Sequence, residues 1–404
     1  MPTLKYYVWL SERVGAVAAG RVLRHFGTPE AAFFAHEDEY KNVADLTKSD
    51  ILALCKKELT TASDILARCT ELGHRILTIQ DAEYPERLRN IYDPPIVLYV
   101  KGRLPAIDEE AAVAIVGTRK STPYGMKTSE KCGYELARHG LVVVTGLARG
   151  GDTAAALGAL RGGGCIIGVL GCGIDVIYPA ENGKLYEDVA ACGALISEYP
   201  PGTEPHASHF PVRNRIMSGI SIGIAVIEAP LRSGTLITAA RALEQGRDVF
   251  AVPGNVDASM SVGTNSLLRD GAIPLTTPTD IVTEYADIFP LKIKLGSIDK
   301  VSLDKRLERE MLEANEKPEN TTQKTVDKPE PVGYIDVEKA ALTLAGREKA
   351  IFDALRKLGG RAHIDNIIAA ACISASEALG SVTMLEIDGY VLSLPGGFYA
   401  LPGL

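Results

Sequence analysis

The chain has 404 residues, 46% apolar and 23% charged, with a formal net charge of -8. That length provides for two or three domains with cores of their own, and the composition excludes collagen-like and wholly disordered chains. No apolar run reaches the roughly eighteen residues of a membrane span, the opening residues lack a secretory apolar region, and seven scattered cysteines without a C-x-x-C pair argue against a disulfide frame or a cysteine-rich zinc site.

The expected location is therefore the cytoplasm. An acidic chain does not coat nucleic acid indiscriminately, so any nucleic-acid site has to be local. Residues 1–75 contain no strand run and read as short helices, broken at Gly15, Gly20, Gly27 and Gly73. Thr28-Pro29-Glu30 and Thr47-Lys48-Ser49-Asp50 are helix starts, with threonine placed to cap.

From Ile76 the period changes to short β-branched runs: 76–79, 96–100, 113–116, 141–144, 166–170, 194–197, 224–228 and 248–252. Continuous rather than alternating apolar runs predict strands buried on both faces of a largely parallel sheet. Helix-length segments at 124–139, 152–161, 181–192 and 235–246 alternate with them, which predicts a doubly wound α/β domain over 76–290. Residues 291–340 are charged, proline-interrupted and poor in large apolar side chains, so they read as a linker with a short helix at 302–315. Residues 341–404 read as three helices and a hairpin, the winged-helix plan, with the third helix at 374–388.

Ligands of an open parallel sheet bind beyond the carboxyl ends of its strands, where helices present free N–H groups. Five glycine-rich loops follow strand runs: 117–121, 145–152, 171–175, 229–235 and 253–255. Together they predict one rim of backbone donors, hydroxyls and arginines suited to phosphate oxygens. Neither G-x-G-x-x-G nor G-x-x-x-x-G-K-[ST] occurs, so no dinucleotide or ATP cofactor is expected.

The segment His206 to Arg215 gathers Phe210, Arg213, Asn214 and Arg215, and residues 206–250 carry five arginines against three acids. Guanidinium beside an exposed ring is what single-strand binding uses. The alternative is a core Phe210 with the arginines paired to Glu228 or Glu198, and residue types alone leave the two open. His206 and His209 lack a third ligand, so no metal is expected. No G-x-S-x-G elbow supports nucleophilic catalysis.

Eight motifs then resemble, in order and spacing, the DNA-processing protein A (DprA, or Smf) family of bacterial natural transformation. They are Ile115–Arg119, Thr145–Gly150, Gly168–Pro179, Ile196–Gly202, Phe210–Ile216, Ser233–Thr238, Ala242–Gly254 and Gly263–Leu268. The resemblance implies an extended Rossmann domain binding single-stranded DNA without turnover, flanked by a sterile-alpha-motif or helix-hairpin-helix-like domain and a winged helix. It further implies competence-linked roles: a homodimer that protects single strands, coexists with single-strand-binding protein and loads the RecA recombinase.

Carried over residue by residue, Arg119 would grip phosphate, and Lys120 and Ser121 beside it would belong to the DNA-binding set. Phe210, Arg213, Asn214 and Arg215 would supply ring and polar contacts, and Ser233, Gly234 and Thr235 donors at a helix start. The sequence departs from the family at Gly151 and Ala156, where isoleucine and histidine are usual, and at Arg13-Val14-Gly15, a reduced hairpin. The last departure favours a structural or dimer role for residues 1–75.

Two other classes compete. A nucleotide phosphoribohydrolase-like enzyme on a related fold needs a catalytic glutamate where Thr238 stands. A duplex-DNA regulator would read bases through helix 374–388, which holds Glu377, Glu386 and Asp388 and no lysine or arginine. That helix is expected to meet protein instead, with Arg356, Lys357 and Arg361 as the other cationic patch.

Overall fold

The computed structural model describes residues 2–295, 346–371, 373, 378, 381, 382, 385, 390–394 and 398–401. The chain forms two compact units, Met1–Arg309 and Glu310–Leu404. In the first, six helices precede the sheet: α1 (Pro2–Arg13), α2 (Ala16–Phe26), α3 (Pro29–Phe34), α4 (Glu37–Tyr40), α5 (Lys48–Leu54) and α6 (Thr60–Glu71). Thr28 caps α3 by accepting from the Ala31 N–H, and Thr47 caps α5 in a reciprocal box with Asp50.

The sheet then builds from β1 (Arg75–Thr78), β2 (Val97–Gly102), β3 (Ala112–Val116), β4 (Val142–Thr145), β5 (Ile166–Leu170), β6 (Ala194–Ser197), β7 (Gly223–Val226), β8 (Asp248–Ala251) and β9 (Ile273–Pro274). Their spatial order is β1-β2-β6-β5-β4-β3-β7-β8-β9. Neighbours from β6 through β9 pair in parallel, while β1–β2 and β2–β6 are antiparallel. The short β9 escaped the sequence reading because Pro274 breaks its pattern; proline is tolerated there because the strand lies at the edge.

Helices cover both faces: α7 (Glu86–Arg89), α8 (Pro123–Arg138), α9 (Gly151–Arg161), α10 (Gly183–Cys192), α11 (His209–Ile220), α12 (Gly234–Glu244), α13 (Val262–Arg269) and α14 (Pro278–Ala286). Alternate residues of a strand enter different layers. Val113, Ile115 and Val143 join one core, and Ala114, Val116, Val142 and Val144 the other. This is why the central runs are apolar without alternation.

The N-terminal helices belong to the first of these layers, where Tyr6, Val8, Trp9 and Val22 are buried in one cluster with Val97, Tyr99 and Val113. The expected boundary near residue 75 is thus not a boundary between compact units: α1 packs chiefly on α3 and α6 and also touches β2.

Helices α8 and α9 meet along a seam of small residues. A β-carbon at Gly133 would stand 2.9 Å from the Ala155 carbonyl carbon, and one at Gly158 would stand 2.8 Å from that of Glu130. Only glycine permits backbones this close.

In the second unit, α15 (Gly346–Lys357), β10 (Arg361–His363), α16 (Ile364–Ala371), β11 (Leu392–Leu394) and β12 (Phe398–Ala400) surround a core of Phe352, Leu355, Ile367 and Val391. The strand order is β10-β12-β11, so β10 adds a strand to the expected hairpin. The segment read as a linker lies, from residue 296, outside the described residues, as does most of the third helix at 374–388.

Candidate nucleic-acid interface

The chain crosses from one half of the parallel sheet to the other between β3 and β7, which are hydrogen-bonded neighbours although three strands separate them in sequence. A crevice opens outside the carboxyl ends of such a pair, because the loops that follow turn to opposite faces. Here it is a cavity of about 430 Å³.

Two loops lock together to form it. The Thr118 N–H donates to the Glu228 carbonyl at 3.0 Å. Thr122, the N-cap of α8, donates its N–H (2.9 Å) and its hydroxyl (2.5 Å) to the Glu228 carboxylate. Glu228 is thereby spent on the loop and, among the described residues, pairs with no arginine, contrary to one alternative left open by the sequence. On the opposite wall Ser233 caps α12 by accepting from the Leu236 N–H at 3.4 Å. The N–H groups of Gly234 and Thr235, in the first turn, have no acceptor within the helix.

Helix α11 lays one face along the cavity. Phe210, Arg213, Asn214 and Met217 line it, a spacing of three, four and seven residues. Of the residues singled out from sequence, Arg119, Lys120, Phe210, Arg213, Asn214, Ser233, Gly234 and Thr235 all line this cavity; Ser121 and Arg215 do not. The Ser121 hydroxyl donates to the Thr118 carbonyl at 2.8 Å and holds the turn instead.

Arg215, two residues from Arg213 and so pointing away from it, has a side chain only 4% exposed. Its Nε lies 3.1 Å from Asp93 and its Nη2 2.6 Å from Glu198. The expectation that Arg215 grips DNA is corrected: both carboxylates bind it from inside. Three of the five glycine loops contribute to the cavity; those at 171–175 and 253–255 do not.

The side chains differ sharply in exposure. Arg119, Lys120 and Arg232 are exposed at the rim. The Arg119 guanidinium stands 4.7 Å from the centroid of the Phe210 ring, a cation–π contact. Tyr178 lies 5.4 Å from the same ring. Phe210 is half-buried, with the Arg119 guanidinium over its ring, and so is not a fully open platform. His209 stacks on Tyr199 at 4.1 Å.

Deeper in, Asp152 and Arg213 are 6% and 3% exposed. An Arg213 Nη donates to the Val169 carbonyl, and its Nε has no partner among the described residues. Burial pushes the Asp152 carboxyl up to about 6, against the opposing pull of Arg213 and the N–H groups of Gly117, Ala148 and Gly146. In the unfolded chain its value is the ordinary 3.8, so between about pH 4 and 6 the folded protein binds a proton that the unfolded chain does not. Asp152 hence favours folding below that window, and this contribution is lost as pH rises through 6. We expect Asp152→Asn to remove this part of the pH dependence of unfolding, read as denaturation midpoints from pH 4 to 7; an unchanged profile would place the titration elsewhere.

Sequence reasoning missed Asp152, Arg232, Met217 and Thr238 as lining residues. Asp152 and Arg232 sat in the loops already singled out, and the helical period of residues 209–220 was the available signal for Met217.

A family described as DNA recombination-mediator protein A matches residues 75–286, and the DprA winged helix domain matches residues 338–397. The DNA processing protein DprA of Streptococcus pneumoniae is 44% identical over 208 residues, 52% of this chain and 73% of that protein. Protein Smf of Synechocystis is 31% identical across 96% of this chain and 95% of its own length. The X-ray structure of the S. pneumoniae protein superposes with a TM-score of 0.61 at 33% identity, covering 69% of this chain and 97% of that one.

Proposed function

This chain belongs to the DNA-processing protein A (DprA/Smf) family, and from that premise we propose that it binds single-stranded DNA at the crossing between β3 and β7. The observation that carries this reading is the charge of the cavity. Arg119, Lys120, Arg213 and Arg232 line it against one carboxylate, Asp152, in a chain whose net charge is -8. Guanidinium and ammonium groups neutralise phosphates, and the N-terminus of α12 adds oriented N–H donors. Protection of strands during transformation, delivery to RecA, coexistence with single-strand-binding protein, homodimerisation and a cytoplasmic location are the family-level parts of the proposal. The winged-helix unit takes a protein partner in it. Among the described residues no helix is long and apolar enough to cross a membrane.

Fluorescence anisotropy of a labelled single strand and its duplex across a salt series tests the reading. Tight, salt-sensitive binding of the single strand and much weaker binding of the duplex is the expected result. Equal or stronger duplex binding would move the function to the winged helix. Phe210→Ala is expected to weaken single-strand binding several-fold with the salt slope unchanged, because it unseats Arg119 without removing a charge.

One observation favours the phosphoribohydrolase-like reading: a buried carboxyl raised to about 6 faces the cavity, as a general acid or base would. Thr238, in the position of that enzyme's glutamate, lines the cavity but donates to the Gly234 carbonyl at 3.2 Å. Release of free base from nucleoside monophosphates, followed chromatographically, decides for or against it.

A further inference from the structure

The cavity is a cup, walled by the segments that follow β3, β4 and β7 and by α11. Its 430 Å³ lies within the roughly 300–1,000 Å³ range of single small-ligand sites.

The chemistry inside is graded. Arg119, Lys120 and Arg232 stand exposed at the mouth, together with the N-terminal turn of the eleven-residue helix α12. Val116, Ala148, Met217 and Pro230 add apolar surface to the lining. On the floor Asp152, Arg213 and Asn214 are all less than 10% exposed. The Arg213 Nε there has no acceptor among the described residues, a buried donor that a bound group would satisfy. Charged phosphate at the mouth, apolar base faces against the walls and polar base edges below match one nucleotide.

Charge selects which nucleotide. The lining carries four cationic side chains and one carboxylate, a net of three positive charges at a single position. An internal phosphodiester brings one negative charge, and a terminal phosphate monoester brings close to two at neutral pH. Resting on the single-strand reading above, we propose that this cup holds the phosphorylated end of a strand, a nucleoside monophosphate unit, while the rest of the strand leaves over the rim.

The test compares one oligonucleotide in three forms on the full chain: 5′- or 3′-phosphorylated linear, hydroxyl-ended linear, and closed into a circle. Free thymidine monophosphate, against thymidine, competes for the same site. The phosphorylated form is expected to bind about tenfold more tightly than the circle, the worth of one charge-assisted hydrogen bond. Thymidine monophosphate should displace it, and thymidine should not. Which phosphorylated form gains identifies the end that enters. Competition by the free nucleotide without any gain for either linear form would assign the cup to mononucleotides and overturn the strand-end proposal.

Equal binding of circle and phosphorylated linear strand, with no competition by the nucleotide, would also overturn it and leave single-strand binding intact. Absence of binding by every form would overturn both readings. Arg232→Ala, at an exposed position, should shrink the advantage of the phosphorylated end; an undiminished advantage would place that end outside this cup.

Discussion

Arg215→Ala is expected to lower the stability of the first unit by about 3–5 kcal/mol while leaving the single-strand affinity of folded molecules unchanged. The guanidinium is almost fully buried between Asp93 and Glu198, whose side chains are only 23% and 14% exposed. Removing the cation strands both carboxylates in a low-dielectric setting, and the loss is mainly the cost of that uncompensated charge. Lysine would restore the charge but not the fork that reaches both partners at once, so Arg215→Lys should recover little. Urea denaturation gives the stability, and anisotropy below the unfolding transition gives the affinity. A stable variant that has lost its affinity would return Arg215 to the interface.

Arg119→Ala is expected to do the reverse: little change in stability and a loss of single-strand affinity of about tenfold or more. The side chain is exposed at the rim, and among the described residues no carboxylate pairs with it. Its guanidinium lies over the Phe210 ring. Nothing in the fold depends on it, whereas a phosphate beside it would lose a charge-assisted partner. The slope of log affinity against log salt should shrink by about 0.7, the share of one phosphate contact on a single strand. An unchanged slope, with affinity intact, would show that the strand runs along another face.

The two arginines show where sequence was enough and where it was not. The sheet and most helices could be read because strands buried on both faces write themselves as unbroken runs such as Ala112–Val116. The loops could be read because they follow those runs. The direction of a side chain on α11 was another matter, since residues 206–215 looked like one basic cluster until helical period separated them. Arg213 and Asn214 turn to the cavity and Arg215 to the interior.

Which loops form the site depended on β3 lying beside β7. That adjacency is a property of topology, and no local pattern encodes it. The depth of Asp152 came from a different adjacency, that of β3 and β4, since its carboxyl gathers N–H groups from the loops after those two strands.

The seam between α8 and α9 has a consequence for how the sequence can drift. Where Gly133 faces Ala155 and Gly158 faces Glu130, backbone meets backbone, and a single added methyl group has nowhere to go. The rim of the cavity, by contrast, is built of exposed side chains whose exchange leaves the scaffold untouched. Mutational tolerance is therefore inverted relative to chemical prominence. The charged positions can vary as the ligand demands, while the plain glycine and alanine stretches are held fixed by geometry.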